Sequence, residues 1–502
     1  MPRALNIKMS PLSEILISTT ANRGMVHREE RKGMLRCIGS KLYTPNLVDE
    51  PEQIIWRNRW QICSAFFPGA LIADRTALEN KPAKDGSVFL VSKRRNDLTL
   101  PGLVFRPRTG VDPMDGVDMP FMGTLWMSSQ ARALLENMRP SRSRSHIRRT
   151  LSREELEEWL DALLRKGGGE ASVNKLRSQF KAIAELLGMV EEAAELDKII
   201  GALLGSQDAR LVTDVGSSRS KGLGYDPERL EQFEELRADL ATHPFADRPR
   251  RDNETFLPFF EAYFSNFIEG TEFLVADAYS IVYEGITPQE RPEDAHDILG
   301  TFRVVSDPHE MRRVPHTPEE FVSLLQSRHA VILAGRRSKR PGEFKLKSNR
   351  AGGSVFVEPE LVRGTLLRGF EILNSLEHPL ARAIFAMFLV AEVHPFSDGN
   401  GRVARIMMNA ELESRGYERI IIPSVFRTEY LQSLKALTQN RRSDALIKVM
   451  DFAQNYVSQI DFSDYAKAEA LLATTNAFKD PADALGDGAK LVLPSSLNGL
   501  GR

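Results

Sequence analysis

Twelve consecutive residues carry a dense set of chemistry-bearing groups: His394-Pro395-Phe396-Ser397-Asp398-Gly399-Asn400-Gly401-Arg402-Val403-Ala404-Arg405. Glycines on both sides of an asparagine at a helix start leave backbone N–H groups clear of side-chain bulk, and such a start cradles phosphate. Arg402 and Arg405 stand three apart, so a helix turns both to the same side. Asp398 offers a carboxylate to a metal ion, and His394 offers an imidazole for proton transfer. Two cations, an anion cradle, one carboxylate and one base make a phosphate-transfer inventory.

The elements that must position these groups are readable on either side. The apolar run Ala381 to Val393 predicts a buried helix ahead of the loop. Val403, Ile406, Met407 and Ala410, at helical spacing, predict a second helix with one core-facing side.

The stretch resembles the signature of the Fic (Fic/Doc) family, His-Pro-Phe-x-Asp/Glu-Gly-Asn-Gly-Arg-x-x-Arg, and meets every specified position. His243-Pro244-Phe245 repeats the first three letters, but no glycine-rich loop follows, and no chemistry is assigned to it. The resemblance implies a mainly α fold over residues 226–460, a helical bundle with a β-hairpin flap. It implies a protein adenylyltransferase, a nucleotidyltransferase that moves AMP from ATP to a Ser, Thr or Tyr hydroxyl of a protein, or of itself. By carry-over, His394 is the general base and Asp398 holds Mg²⁺. Gly399, Asn400 and Gly401 form the anion hole, with the Asn400 amide reaching phosphate. Arg402 is expected on the β-phosphate and Arg405 on the γ-phosphate, while Phe396 and Pro395 pack and set the loop. Doc-type kinases carry lysine in place of the second motif glycine; Gly401 stands there, which favours AMP transfer. An unperturbed imidazole suits a general base at neutral pH.

Ser354-Val355-Phe356-Val357-Glu358 corresponds to the family's flap, whose open strand edge could hold a target peptide. Ser265-Asn266-Phe267-Ile268-Glu269-Gly270 resembles the family's inhibitory pattern, with Ser265, Glu269 and Gly270 at the defining positions. Gly270 is a natural helix stop, so Glu269 falls in the last turn, where the macrodipole disfavours an anion and a cation would relieve it. The resemblance names Arg405 as that cation, and the enzyme would rest switched off. The same site can also remove AMP, so a de-AMPylase remains an alternative reading. A DNA-binding regulator whose Fic part only senses ATP is another.

A chain of 502 residues with 42% apolar and 27% charged content fits two or three soluble globular domains. No apolar run approaches the roughly 18 residues of a membrane span, and no signal-type segment opens the chain, so a cytoplasmic protein is expected. Cys37 and Cys63 are too few for a disulfide framework and read as buried thiols. Residues 1–150 hold 24 Lys and Arg against 14 Asp and Glu, a net +10, while the remainder holds 43 against 54, a net −11. The basic part is therefore suited to an anionic partner.

Within that part, Pro11 to Ser18 and Glu52 to Ala65 read as helices, and Met34 to Thr44 as a hairpin turning at Gly39-Ser40. A helix over Asp74 to Glu79 and strands over Ser87 to Val91 and Leu103 to Arg106 follow. This order resembles AbiEi-like antitoxins and related winged-helix regulators over residues 10–135. It implies an α+β winged-helix-like domain over 1–140, with Arg23, Arg28, Arg31, Lys32, Arg36 and Lys41 as DNA phosphate contacts. A protein-docking wing is equally compatible with the same basic face. Residues 141–225 read as a basic linker and helical connector, with a Gly/Ser-rich stretch over Asp214 to Gly224, and 461–502 as a disordered tail. A homodimer is compatible with this organisation.

Overall fold

The computed structural model describes residues 14–142, 147–166, 168–252, 254–482, 486 and 488–497. The chain divides into two compact units, with the division between Ser220 and Lys221. The first is α+β and the second is mainly α.

The first unit opens with β1 (Leu16–Ile17), α1 (Arg23–Arg31), β2 (Arg36–Gly39) and β3 (Leu42–Thr44). The three strands form an antiparallel sheet in the order β1-β3-β2. The helix expected over Pro11 to Ser18 is thus a strand in its described part, because Leu16 and Ile17 pair with Tyr43 and Leu42; residues 11–13 lie outside those described. The hairpin turns at Ser40-Lys41, with Lys41 left-handed at φ 59°. Cys37 is exposed on this hairpin, so only Cys63 is the buried thiol expected. Helices α2 (Pro51–Arg57) and α3 (Arg59–Phe66) lead into a second, six-stranded sheet. Its order is β6 (Leu98–Leu100), β7 (Leu103–Arg108), β5 (Ser87–Val91), β4 (Leu71–Ile72), β9 (Trp126–Met127), β8 (Met119–Pro120). Helices α4 (Asp74–Glu79) and α5 (Gln130–Met138) share one apolar cluster with α6 (Arg153–Lys166), α7 (Gly169–Leu187) and α8 (Val190–Leu203).

Ser152 and Glu155 form a capping box at the start of α6. The Glu155 N–H donates to Ser152 Oγ at 3.2 Å, and the Ser152 N–H donates to Glu155 Oε2 at 2.7 Å. The linker expected over Asp214 to Gly224 contains a helix, α9 (Asp214–Ser220). The buried Glu157 carboxylate accepts from the Val212 and Thr213 N–H groups just ahead of it, and this anchors a segment whose composition reads as loose.

The second unit packs α10 (Pro227–Thr242), α11 (Leu257–Ile268), α12 (Val275–Tyr279), α13 (Pro292–Val305), α14 (Pro308–Arg312) and α15 (Pro318–Ile332) with α16 (Pro359–Leu373), α17 (Pro379–Val393) and α18 (Asn400–Glu413). Helices α19 (Arg427–Asn440) and α20 (Asp444–Val457) follow. Pro379 at the first helical position and His378, whose Nδ1 accepts from the Leu380 N–H at 3.2 Å, start α17. Its body is buried on nearly every side, so it runs through the centre of the apolar core. The segment expected as the flap holds a short hairpin, β10 (Arg350–Ala351) with β11 (Ser354–Val355), and Phe356, Val357 and Glu358 continue it without strand pairing.

The tail expected to be disordered from residue 461 instead forms α21 (Tyr465–Thr474). Asp464 caps it, accepting from the Lys467 N–H at 2.9 Å. Tyr465 stacks on Phe260 of α11 at 5.6 Å, and Leu472 and Ala477 are buried in the same aromatic cluster. A few large rings there overcome a composition that looks weakly hydrophobic.

Candidate active site

Helix α17 ends at His394, which adopts the left-handed conformation at φ 51°, ψ 59°. That reversal turns the chain out of the core and into the loop that begins α18. The imidazole Nδ1–H donates to the Ala391 carbonyl at 3.2 Å, which leaves the Nε2 lone pair free to accept a proton. The Phe356 ring of the flap lies flat against the imidazole, with centroids 3.8 Å apart and planes at 7°. Burial pushes the His394 pKa from its ordinary 6.5 down to about 4, so the ring is neutral at pH 7 but a weaker base than an unperturbed imidazole.

Gly399, left-handed at φ 74°, is the N-cap residue of α18; a Cβ there would sit 2.7 Å from Leu333 Cδ2. The start of α18 presents the N–H groups of the expected anion hole. The Asn400 side chain does not face it. Its Oδ1 accepts from the Phe396 N–H at 2.8 Å and its Nδ2 donates to the Phe396 carbonyl at 2.9 Å, so the buried amide is spent on bracing the loop. The expected phosphate contact of Asn400 is therefore left to its backbone. Phe396 is fully buried, in keeping with its packing role.

Asp398 Oδ1 accepts from the Gly399 N–H at 2.7 Å, and Oδ2 lies 3.4 Å from Lys339 Nζ. Burial alone would raise its carboxyl, but Arg402, the Gly399 N–H and Lys339 outweigh it and hold the group below its ordinary value. Arg402 is buried and bound to Asp297 of α13 through Nη1 at 2.6 Å. Its Nε lacks a partner among the described residues.

The Ser265–Gly270 segment comes to the same place. Arg405 Nη2 donates to Glu269 Oε1 at 2.8 Å and to the Ser265 carbonyl at 2.7 Å, and Arg405 Nε donates to Ser265 Oγ at 3.0 Å. Glu269 caps the C-terminus of α11, and Gly270 beyond it is left-handed at φ 89°. A Cβ on Gly401 would stand 2.1 Å from Glu269 Oε1. The carboxylate therefore rests against the first turn of α18, inside the cradle that the glycines keep open.

Sequence reasoning missed four residues that complete this site. Asp297 holds Arg402. His329 of α15 stacks on Phe396 at 3.8 Å and 3° and contacts the Asp398 carbonyl through Nε2 at 3.1 Å. Lys345 and Asn349 bond the loop backbone. The available signal was His329 itself, a lone imidazole on the apolar stripe Phe321, Leu325, Ile332. Lys345 and Asn349 follow no periodicity. Of the flap residues, Phe356 reaches the site, Val357 is buried away from solvent and Val355 is exposed. The six expected DNA contacts lie in the first unit. Arg23, Arg28, Arg31, Lys32 and Lys41 are exposed, whereas Arg36 is half-buried and donates to the Asp49 carbonyl, which removes it from the phosphate contacts expected.

Comparison with known proteins places the resemblance on the same residues. Residues 321–412 match the Fic/DOC family. The chain is 29% identical over 223 residues to a protein adenylyltransferase Fic of Drosophila persimilis, covering 42% of each chain, and 28% identical over 217 residues to one of Drosophila grimshawi. It thus spans less than half the length of the curated relatives it matches. Among solved structures, a Fic domain containing signaling protein from Bacteroides thetaiotaomicron is similar at 20% identity, TM-score 0.35, over 46% of this chain and 92% of that one. Fic-1 of C. elegans is similar at 16% identity, TM-score 0.35, over 60% and 84%. The likeness to the Fic/DOC family thus lies over residues 321–412, the stretch that holds the signature loop and the two helices flanking it.

Proposed function

We propose that the second unit is a protein adenylyltransferase, transferring AMP from ATP to a Ser, Thr or Tyr hydroxyl of a protein and held at rest by Glu269. The observation that carries this reading is the Glu269 carboxylate lying against Gly401 and bonded to Arg405. An anion already rests where a phosphate would, between a helix N-terminus and a buried cation.

When the polyphosphate replaces that carboxylate, Arg405 is free to neutralise it, and Arg402 joins by exchanging Asp297 for phosphate. His394 Nε2 takes the proton of the target hydroxyl as its oxygen bonds the α-phosphorus and the bond to pyrophosphate breaks. The phosphates' negative charge raises the imidazole back toward its ordinary value, which improves the base at the moment it is needed. Phe356 must leave the face of His394 for a hydroxyl to approach. Positioning and fixed charge supply most of the acceleration in such transfers.

A Mg²⁺ ion fits one feature of the site, the ionised and part-exposed Asp398 carboxylate. Among the described residues no group of three or more His, Cys, Asp or Glu gathers there, so Asp398 with phosphate oxygens and water would hold the ion. It would supply charge neutralisation on the phosphates.

The test is to incubate full-length Glu269→Gly protein with Mg²⁺ and ATP labelled at either the α- or γ-phosphorus. Label from the α position alone should enter protein. Transfer of γ label, or of none, would overturn the reading.

The first unit carries a separate proposal, contact with DNA through α1 and the β2–β3 hairpin. Support comes from the exposure of Arg23, Arg28, Arg31, Lys32 and Lys41 on consecutive elements. No helix among the described residues is long and apolar enough to cross a membrane.

A further inference from the structure

The loop carrying His394 is gripped carbonyl by carbonyl from one neighbouring segment. The Lys345 N–H donates to the Pro395 carbonyl at 2.9 Å. Lys345 Nζ reaches the Val393 carbonyl at 3.4 Å and Asn349 Oδ1 at 2.6 Å. Asn349 Nδ2 donates to the Phe396 carbonyl at 3.0 Å. His329 closes the series. Its Nδ1 accepts from the Gly342 N–H at 2.8 Å, which fixes the proton on Nε2, and Nε2 donates to the Asp398 carbonyl at 3.1 Å. Four carbonyls, of residues 393, 395, 396 and 398, are held this way.

The grip matters because His394 sits at φ 51°, a region that a residue with a Cβ keeps only when its surroundings impose it. The apolar core takes α17 up to Val393 and the Phe396 ring beyond it, but leaves the polar backbone of the reversal between them to other groups. A buried ammonium is itself costly unless its donors are used, and burial pushes the Lys345 pKa down to about 8. Its ammonium donates to Asn349 Oδ1 and to the Val393 carbonyl on one side of His394, while its backbone N–H holds the Pro395 carbonyl on the other.

We propose that His329, Lys345 and Asn349 are positioning residues that hold the backbone around His394 in its left-handed turn and thereby aim Nε2 at the target hydroxyl. The inference rests on the reading of His394 as general base. Their hydrogen bonds to the site go to loop carbonyls, not to the His394 ring, Arg402 or Arg405. Their loss should misplace the base while leaving the phosphate cradle, which belongs to α18, Arg402 and Arg405, in place. Misplacement of a catalytic group by about 1 Å can cost on the order of 100-fold in rate.

The experiment uses the full chain with Glu269→Gly as parent and adds Lys345→Met, Asn349→Ala or His329→Phe, the last keeping the stack on Phe396 without either hydrogen bond. Expected results are a kcat lower by about 10- to 100-fold, ATP affinity within about threefold of the parent, and faster amide hydrogen exchange across residues 393–398. His329→Gln, whose amide nitrogen can occupy the Nε2 position, should recover most of the kcat lost in His329→Phe. Unchanged kcat in the three variants would overturn the proposal. So would a kcat that falls in step with ATP affinity and melting temperature, the mark of a general packing role. A His329→Gln protein as slow as His329→Phe would remove His329 from the set. If the Glu269→Gly parent transfers no AMP, the adenylyltransferase reading fails by itself, and hydrogen exchange decides the grip: faster exchange upholds it and unchanged exchange overturns it.

Discussion

Replacing Glu269 with glycine should switch the enzyme on, and the structure sets the size of the effect. The carboxylate makes one charge-assisted hydrogen bond to Arg405 at 2.8 Å, with the arginine side chain 6% and the glutamate 27% exposed. A bond of that kind contributes about 1.5–3 kcal/mol, more than an exposed pair and less than one fully buried. At about 1.4 kcal/mol per factor of ten, its loss should raise AMP transfer by roughly 10- to 150-fold. Arg405 should stay in place, because Ser265 still holds it through Oγ and the backbone carbonyl. Steric relief adds to the electrostatic one, since the carboxylate no longer fills the space beside Gly401. Arg405→Ala breaks the same pair yet should leave the enzyme inactive, because the nucleotide loses its cation. The double variant should resemble Arg405→Ala. The assay is transfer of α-labelled ATP to the chain and to added protein hydroxyls at saturating Mg²⁺. An increase of less than about threefold for Glu269→Gly, or activation by Arg405→Ala, would refute the reasoning.

Other outcomes follow from the same geometry. His394→Ala should abolish transfer while leaving ATP affinity within a fewfold of the parent, as read by equilibrium nucleotide binding, because the base contributes about 10²–10⁴ to rate and little to ground-state binding. Asn400→Ala strips the Phe396 N–H of its partner and should lower unfolding free energy by about 1–3 kcal/mol in urea titration. His329, fully buried, has its pKa lowered from 6.5 to about 4, so its neutral form stabilises the fold above pH 6.5 and that contribution is lost as pH falls toward 4. Between pH 7.5 and 4.5 the wild type should therefore lose about 2.5 kcal/mol more than His329→Phe; equal losses in parallel denaturant titrations would contradict the assignment. If the first unit binds DNA through α1 and its hairpin, full-chain affinity should fall steeply with salt, and charge reversal at Arg28 and Arg31 should weaken it for every sequence tested.

Much of the second unit was legible because local signals and tertiary structure agree there. The apolar run into Val393 is a helix in any compact fold, and glycines at 399 and 401 suit a loop that must expose backbone N–H groups. Pro227, Pro318 and Pro359 each open a helix, at the position where proline suits the start. Helix α13, which supplies Asp297, escaped notice although Pro292 opens it and Ile298 and Val304 lie on its buried face. Errors gathered where pairing or aromatic packing overrides composition. Leu16 and Ile17 became a strand because β3 offers them partners, and α21 folded because Tyr465 and Leu472 reach the rings of α11.

The residue types alone determined what could be bound and transferred: a glycine-lined helix start attracts anions, two arginines one turn apart face it together, and an imidazole beside them accepts a proton. Only the tertiary structure decided how those groups are employed. It turned the Asn400 side chain inward to brace the loop. It buried the His394 imidazole, with Phe356 laid on its face, and that burial makes it a weaker base than its type suggests. It also brought Glu269 to Arg405 across 136 residues of chain. Hydrogen-bond direction, burial and charge pairing depend on which segments meet in space, and spacing along the chain encodes that only within a few helical turns.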